Sequence, residues 1–140
     1  MLFAESSGTC CGASPRVSLF ECFDRGLKTR RLPPLAGHQA APVRLSGLRA
    51  QFSFEVDGRV LSDLRFECSA CTTLIACCQA LVELAKGQDM ADLHSWDATR
   101  ILQHLKGIPL AKHDRVWLAI CAFRAIPDSF YSSHSQDIAS

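Results

Sequence analysis

Apolar and polar residues alternate from Arg49 to Val56, with Phe52, Phe54 and Val56 on one side and Gln51, Ser53 and Glu55 on the other. That is the pattern of a half-buried strand. A second such run, Arg59 to Cys68, follows the Asp57-Gly58 turn and sets Val60, Leu64 and Phe66 opposite Asp63, Arg65 and Glu67. A slip of one residue would turn every apolar side chain to the wrong face. A loop from Asp57 to Arg59 avoids the slip by pairing Val56 with Val60, Phe52 with Leu64 and Ala50 with Phe66, and this is the expected register.

After Cys68 the apolar period lengthens to that of a helix. Leu74, Ile75, Cys78, Leu81, Val82 and Ala85 share one stripe of a helix expected from about Cys71 to Lys86, and Gly87 ends it. Upstream, Val17, Phe20, Cys22, Phe23 and Leu27 predict a short helix over Val17 to Leu27, followed by Lys28 to Arg31 as a solvated basic face. Leu32-Pro33-Pro34-Leu35-Ala36-Gly37 then breaks the helix and opens an extended crossing to about Pro42. Downstream, Asp89 can cap a short turn bearing Met90 and Leu93. Ser95 or Asp97 can cap a helix bearing Ala98, Ile101, Leu102 and Leu105, which Gly107 and Pro109 stop. A last helix from about His113 to Ile126 carries Val116, Trp117, Ile120 and Phe123 on one side, with Cys121 as packing.

The resulting fold class is α+β, a small antiparallel sheet with helices packed on one face. One domain is expected over residues 15–127, with residues 1–14 a disordered tail rich in Ser, Gly and Cys, and residues 128–140 a polar C-terminal tail.

Charge narrows the partners. The net charge is +1 and only 21% of residues are charged, so electrostatics calls for neither nucleic acid nor a membrane surface. No apolar run reaches the roughly 18 residues of a membrane span. Met1 to Arg16 has neither the basic start nor the apolar centre of a secretory signal, so a reducing, cytoplasmic setting is expected.

In that setting the eight cysteines, Cys10, Cys11, Cys22, Cys68, Cys71, Cys77, Cys78 and Cys121, are read as mostly free thiols available for metal, sulfur chemistry or packing. Cys68 and Cys71 are spaced C-x-x-C, but no second C-x-x-C follows to make a zinc ribbon. His38, His94, His104, His113 and His134 form no H-x-x-x-H pair. Cys71 stands where the strand becomes a helix, and unpaired N–H groups and the helix dipole there favour thiolate over thiol. A small apolar residue closing a turn is the competing reading. Cys78 belongs to the core stripe, and Cys77 lies a step round the helix from it.

Gly58-Arg59-Val60-Leu61-Ser62-Asp63-Leu64-Arg65-Phe66, Cys71 five positions on, Lys86-Gly87-Gln88 fifteen after that, and Gly107-Ile108-Pro109 together resemble the U-type (NifU/IscU) iron–sulfur cluster scaffold family. The resemblance covers roughly Leu45 to Ile126. It implies a small antiparallel sheet covered on one face by helices, and a site of three cysteines and an aspartate that holds a nascent cluster. Thiolates suit that task because soft, charged ligands match iron and sulfide. Cys71 falls on the second cysteine. Ser46 falls on the first, with Leu48 in place of the aspartate, and the third falls on Asp114 or on Arg115 according to which end of the last helix sets the register. The chaperone-docking segment is altered too, since Ile108-Pro109-Leu110-Ala111-Lys112 contains a single proline.

What the resemblance implies is a divergent, non-enzymatic scaffold or sulfur and iron carrier, with Cys71 as sulfur acceptor or metal ligand and Cys68, His113 and Asp114 as further ligands. An iron–sulfur cluster or iron is the implied cofactor, zinc is a second possibility, and a cysteine desulfurase and other assembly proteins are the implied partners. The alternative is a degenerate module that binds assembly factors without holding a cluster. Arg115 would set a fixed positive charge beside the site and favour thiolate or persulfide at Cys71 without binding metal. A C-x-x-C redox protein is a weaker reading, because the thioredoxin-like order of strands is absent.

Overall fold

A computed structural model describes residues 16–139, with side chains described as far as Tyr131. The tail expected over residues 1–14, with Cys10 and Cys11, lies outside the described residues. The elements, in order, are β1 (Val17–Ser18), α1 (Leu19–Arg31), β2 (His38–Gln39), β3 (Val43–Leu45), β4 (Leu48–Asp57), β5 (Val60–Cys68), α2 (Thr72–Ala85), a 3-10 turn (Met90–Ser95), α3 (Ala98–His104), β6 (Leu105–Lys106), a second 3-10 turn (Leu110–Lys112) and α4 (His113–Ala139).

The main sheet is antiparallel and centres on β4, with β5 along one edge and β2 and β3 sharing the other. Ser46 and Gly47 join β3 to β4 with φ of 54° and 79°, and Leu45 pairs with Leu48. A two-residue loop with both angles positive matches the strand twist, which is why it closes so tightly here.

The β4–β5 register differs from the one expected. Phe52 faces Phe66, Phe54 faces Leu64 and Ala50 faces Cys68, two positions along from the predicted pairs. A shift of two preserves which face each side chain takes, so the apolar face survives. The loop at the tip is Gly58-Arg59, with Asp57 opposite Val60, and a bulge between Glu55 and Val56 absorbs one extra residue on β5. That bulge exchanges two neighbours: Leu61 is fully buried, whereas Val60, expected in the core, is 39% exposed.

Helix α2 is the centre of the core. Its predicted stripe is buried, and so are Ala76, Cys77 and Ala80 on the other side, because α1, β5 and α4 all pack on it. Helix α1 approaches closely: a Cβ added at Gly26 would lie 2.7 Å from Ile75 Cγ2 and 3.0 Å from the Ile75 carbonyl oxygen. A bidentate pair from Arg25 to Glu83, at 2.5 and 3.0 Å, ties the same two helices at the surface. On the opposite face of the sheet the extended crossing is pinned by two hydrogen bonds, Leu35 N–H to Ser53 Oγ at 2.9 Å and Arg65 to the Pro33 carbonyl at 2.9 Å.

Two expectations for the last helix are corrected. It does not stop at Ile126 but runs through Pro127 to Ala139. Proline lacks an N–H and ordinarily breaks a helix interior. Here Pro127 is itself buried, and the turn beyond it sets Phe130 edge-on to His38 at 5.7 Å while His94 stacks on Tyr131 at 6.0 Å and meets Asp128 at 3.2 Å. Trp117 and Cys121, expected to pack inward, face out; Trp117 is 54% exposed. The apolar side of α4 is carried instead by Val116, Leu118, Ala119, Ile120, Ala122, Phe123 and Ile126.

Candidate functional site

The strand-to-helix switch places Cys71 as the N-cap of α2. Its backbone is extended (φ −136°, ψ 122°), its side chain makes no capping hydrogen bond, and its carbonyl accepts from Ile75 N–H at 2.9 Å. Two hydrogen bonds from Arg49 N–H to Ser69 Oγ (2.8 Å) and from Ser69 N–H to the Arg49 carbonyl (2.9 Å) lock the preceding turn to β4. The thiol is half-buried at the edge of an open hollow of about 590 Å³. Leu19 and Phe20 of α1, Leu48 of β4, Gly107 and Pro109 of the loop after β6, and Lys112 and Arg115 near the start of α4 form the rest of the wall.

Arg115 decides the electrostatics. Its guanidinium donates to both carboxylate oxygens of Asp114, at 2.7 and 2.9 Å, and this contact, with a second from the Cys71 sulfur, holds the arginine charge more firmly than usual. Its Nε is buried without a hydrogen-bond partner among the described residues. Asp114, hydrogen-bonded by Arg115, is held below the usual carboxylate range. Of the two alignments of the third family cysteine, the one ending on Arg115 names the residue that shares the hollow with Cys71.

Cys68 goes elsewhere. It is buried, its sulfur takes a hydrogen bond from Cys78, and that bond, together with Arg30 nearby, outweighs burial and lowers its pKa. Its carbonyl accepts from Arg30 Nε at 3.0 Å. Cys22 donates its thiol proton to the Ala76 carbonyl at 3.3 Å, and burial pushes its pKa up to about 12. Burial likewise raises Cys77 and Cys78. These four thiols sit beneath or along α2, inside the core.

The expected ligand set of Cys71, Cys68, His113 and Asp114 is therefore not drawn together. Cys68 faces Cys78, Asp114 faces Arg115, and neither Asp114 nor His113 lines the hollow. Among the described residues no group of three or more His, Cys, Asp and Glu side chains is placed to hold a metal ion. One thiol, a leucine and a guanidinium do not fit a cluster, nor a four-coordinate zinc. Lys112, Leu19 and Phe20 are hollow residues that the sequence reading missed. No motif marks them, because they meet Cys71 only through the packing of three elements distant in sequence.

Among the described residues no helix is long and apolar enough to cross a membrane. No curated protein is recognisably similar in sequence to this chain. Among solved structures, a hypothetical protein solved at 2.3 Å matches with 13% identity and a TM-score of 0.49 over 78% of this chain and 96% of its own. A nitrogen-fixing NifU-like protein (N-terminal) from Brucella abortus matches with 16% identity and a TM-score of 0.45, over 76% of this chain and 75% of its own. A putative iron–sulfur cluster assembly scaffold protein for the SUF system from Fervidobacterium islandicum gives 16%, 0.43, 74% and 79% in the same terms. The model of the NifU-like N-terminal domain family matches residues 33–134, which include β2 through most of α4 and so most of the hollow. This chain belongs to the NifU-like N-terminal domain family.

Proposed function

We propose that this protein serves iron–sulfur cluster assembly as a non-enzymatic sulfur acceptor, with Cys71 receiving sulfane sulfur from a persulfide donor such as a cysteine desulfurase. The observation that carries this reading is the Cys71 thiol beside the Arg115 guanidinium at the start of α2, in a hollow open to solvent. Arg115 and Lys112 in the wall, with the N–H groups at the start of α2, suit an anionic sulfur cargo better than a metal dication. The Cys71 thiolate attacks the outer sulfur of the donor persulfide, a new S–S bond forms, and the donor cysteine leaves as thiolate. The transfer is isoelectronic, so it needs no external oxidant. A cluster, where one is assembled, is cargo whose remaining ligands come from outside the described residues.

Mass spectrometry of the chain after incubation with a desulfurase and cysteine tests the reading. The expected result is a gain of one sulfur on the peptide containing Cys71, absent in Cys71→Ser. No added sulfur on that peptide would remove the proposal. A second reading, the interaction module that holds no sulfur, is favoured by the exposed Phe20, Leu110 and Trp117 on the elements that frame the hollow. It predicts desulfurase binding that survives Cys71→Ser and is lost in Phe20→Ser or Trp117→Ser.

A further inference from the structure

We propose that the hollow binds a small thiol bearing carboxylates, and that the persulfide of this thiol is the donor from which Cys71 takes its sulfur. The proposal rests on the sulfur-acceptor reading and adds the class of donor.

The first sign is positive charge that the chain leaves unanswered. Lys112 is half-buried in the wall, yet among the described residues its ammonium makes no ion pair and no hydrogen bond. A cation drawn partly out of water gains from a counter-ion, and no Asp or Glu lines the hollow among the described residues to supply one. Arg115 gives its Nη1 to Asp114, which stands outside the wall, and keeps a buried Nε with no hydrogen-bond partner among the described residues.

The second sign is a hydroxyl. Thr73 is only 6% exposed and lines the hollow, and among the described residues its side chain has no hydrogen-bond partner. A hydroxyl so enclosed ordinarily has one. Thr73 is also the second residue of α2, whose N-cap Cys71 offers no side-chain bond to the first backbone N–H groups of the helix. Ammonium, guanidinium, hydroxyl and open N–H groups together ask for an oxygen acceptor that carries negative charge.

Size and chemistry choose among anions. A bare phosphate or sulfate would leave most of about 590 Å³ unfilled, whereas that volume is in the range that takes a drug-sized molecule. Leu19, Phe20, Leu48 and Pro109 give part of the wall an apolar surface, suited to methylene and peptide groups between the charges. Cys71 at the edge calls for sulfur on the ligand. These demands meet in a thiol of about tripeptide size whose carboxylates face Lys112, Arg115 and Thr73 while its sulfur faces Cys71. The transfer keeps its balance with such a donor. The Cys71 thiolate attacks the outer sulfur of the bound persulfide R–S–SH, the new S–S bond leaves Cys71 as its persulfide, and R–S⁻ departs with the electron pair of the broken bond.

The test follows mixed-disulfide formation at the Cys71 peptide of the full chain by mass spectrometry. Three symmetric disulfides serve as probes: anionic glutathione disulfide, neutral bis(2-hydroxyethyl) disulfide and cationic cystamine. The same peptide in the urea-unfolded chain supplies the intrinsic rate of each reagent. Relative to that reference, folded Cys71 should favour the anionic probe over the cationic one by at least about tenfold, as expected from two nearby positive charges. The rate with glutathione disulfide should also level off as its concentration rises, the mark of binding before reaction. Lys112→Gln should cut the charge preference by about threefold or more, and Thr73→Val should remove the levelling-off. Glutathione persulfide should then add one sulfur to the Cys71 peptide. Equal charge preference in folded and unfolded chain overturns the anionic-thiol site, while sulfur gained from a desulfurase by the same protein would leave the acceptor reading standing. A clear preference with no sulfur transferred from glutathione persulfide overturns the donor role. No sulfur at Cys71 from either source overturns both this proposal and the reading beneath it.

Discussion

Cys71 and Cys78 stand seven residues apart at the start and in the middle of one helix, yet their surroundings make them different chemical groups. At Cys71 the chain opens to solvent, a guanidinium lies close and the side chain caps nothing. At Cys78 the thiol is fully buried and hydrogen-bonded to Cys68, and burial drives its pKa well up. A thiol's usefulness follows from where the helix starts and what packs on it, and the count of cysteines says little about it. The hollow is framed by α1, β4 and the stretch from β6 into α4, which leave a gap at the start of α2, and the core thiols lie where α1, β5 and α4 close on α2.

The widest test of that contrast is native-state alkylation. Cys71 and Cys121 should react at once, while Cys22, Cys77 and Cys78 should wait for opening of the core and react slower by about a thousandfold or more. Peptide mapping against time reads this directly, and fast labelling of Cys78 would break the distinction. Next in size is stability. Cys78→Ser puts a hydroxyl in a site built for a thiol and should cost about 1 to 3 kcal/mol in urea unfolding. Cys71→Ser should stay within about 0.5 kcal/mol of wild type. Arg115→Gln should slow alkylation and sulfur uptake at Cys71 by roughly three- to tenfold, in line with the loss of one nearby charge, with core labelling unchanged.

The smallest effect concerns pH. Burial would raise the Glu83 pKa, but its hydrogen bonds from Arg25 and Gln79 prevail and hold it below the usual range. The folded state therefore binds its proton less readily than the unfolded one. The stabilisation is complete above the ordinary glutamate pKa and is lost as pH falls through the lower folded value. Since Arg25 is half-exposed, solvent screens the pair and the loss should be a few tenths of a kcal/mol. Glu83→Gln should flatten the fall in stability below about pH 4.5, and an unchanged slope would assign acid sensitivity to other carboxylates.

Much of the fold was legible because alternation and helical period report burial directly. The strand pair, the stripe of α2 and the caps Asp89 and Asp97 all occur where the pattern put them. The bulge beside Val56 was not legible, since a local extra residue and a longer loop leave the same faces on β4. Pro127 misled because the contacts that carry α4 past it, from His38 and His94, come from remote segments. At the site, Cys71 was readable from a change of period, whereas the turning of Cys68 toward Cys78 and of Asp114 toward Arg115 depends on side-chain directions that no spacing encodes.

Gly26 has a mechanical consequence for the hollow. It is the fulcrum on which α1 rests against Ile75, and Leu19 and Phe20 lie six to seven residues away, about 10 Å along the helix. Any side chain at position 26 wedges the helices apart there and swings the far end of the lever, so the width of the opening around Cys71 is set from a place that does not line it.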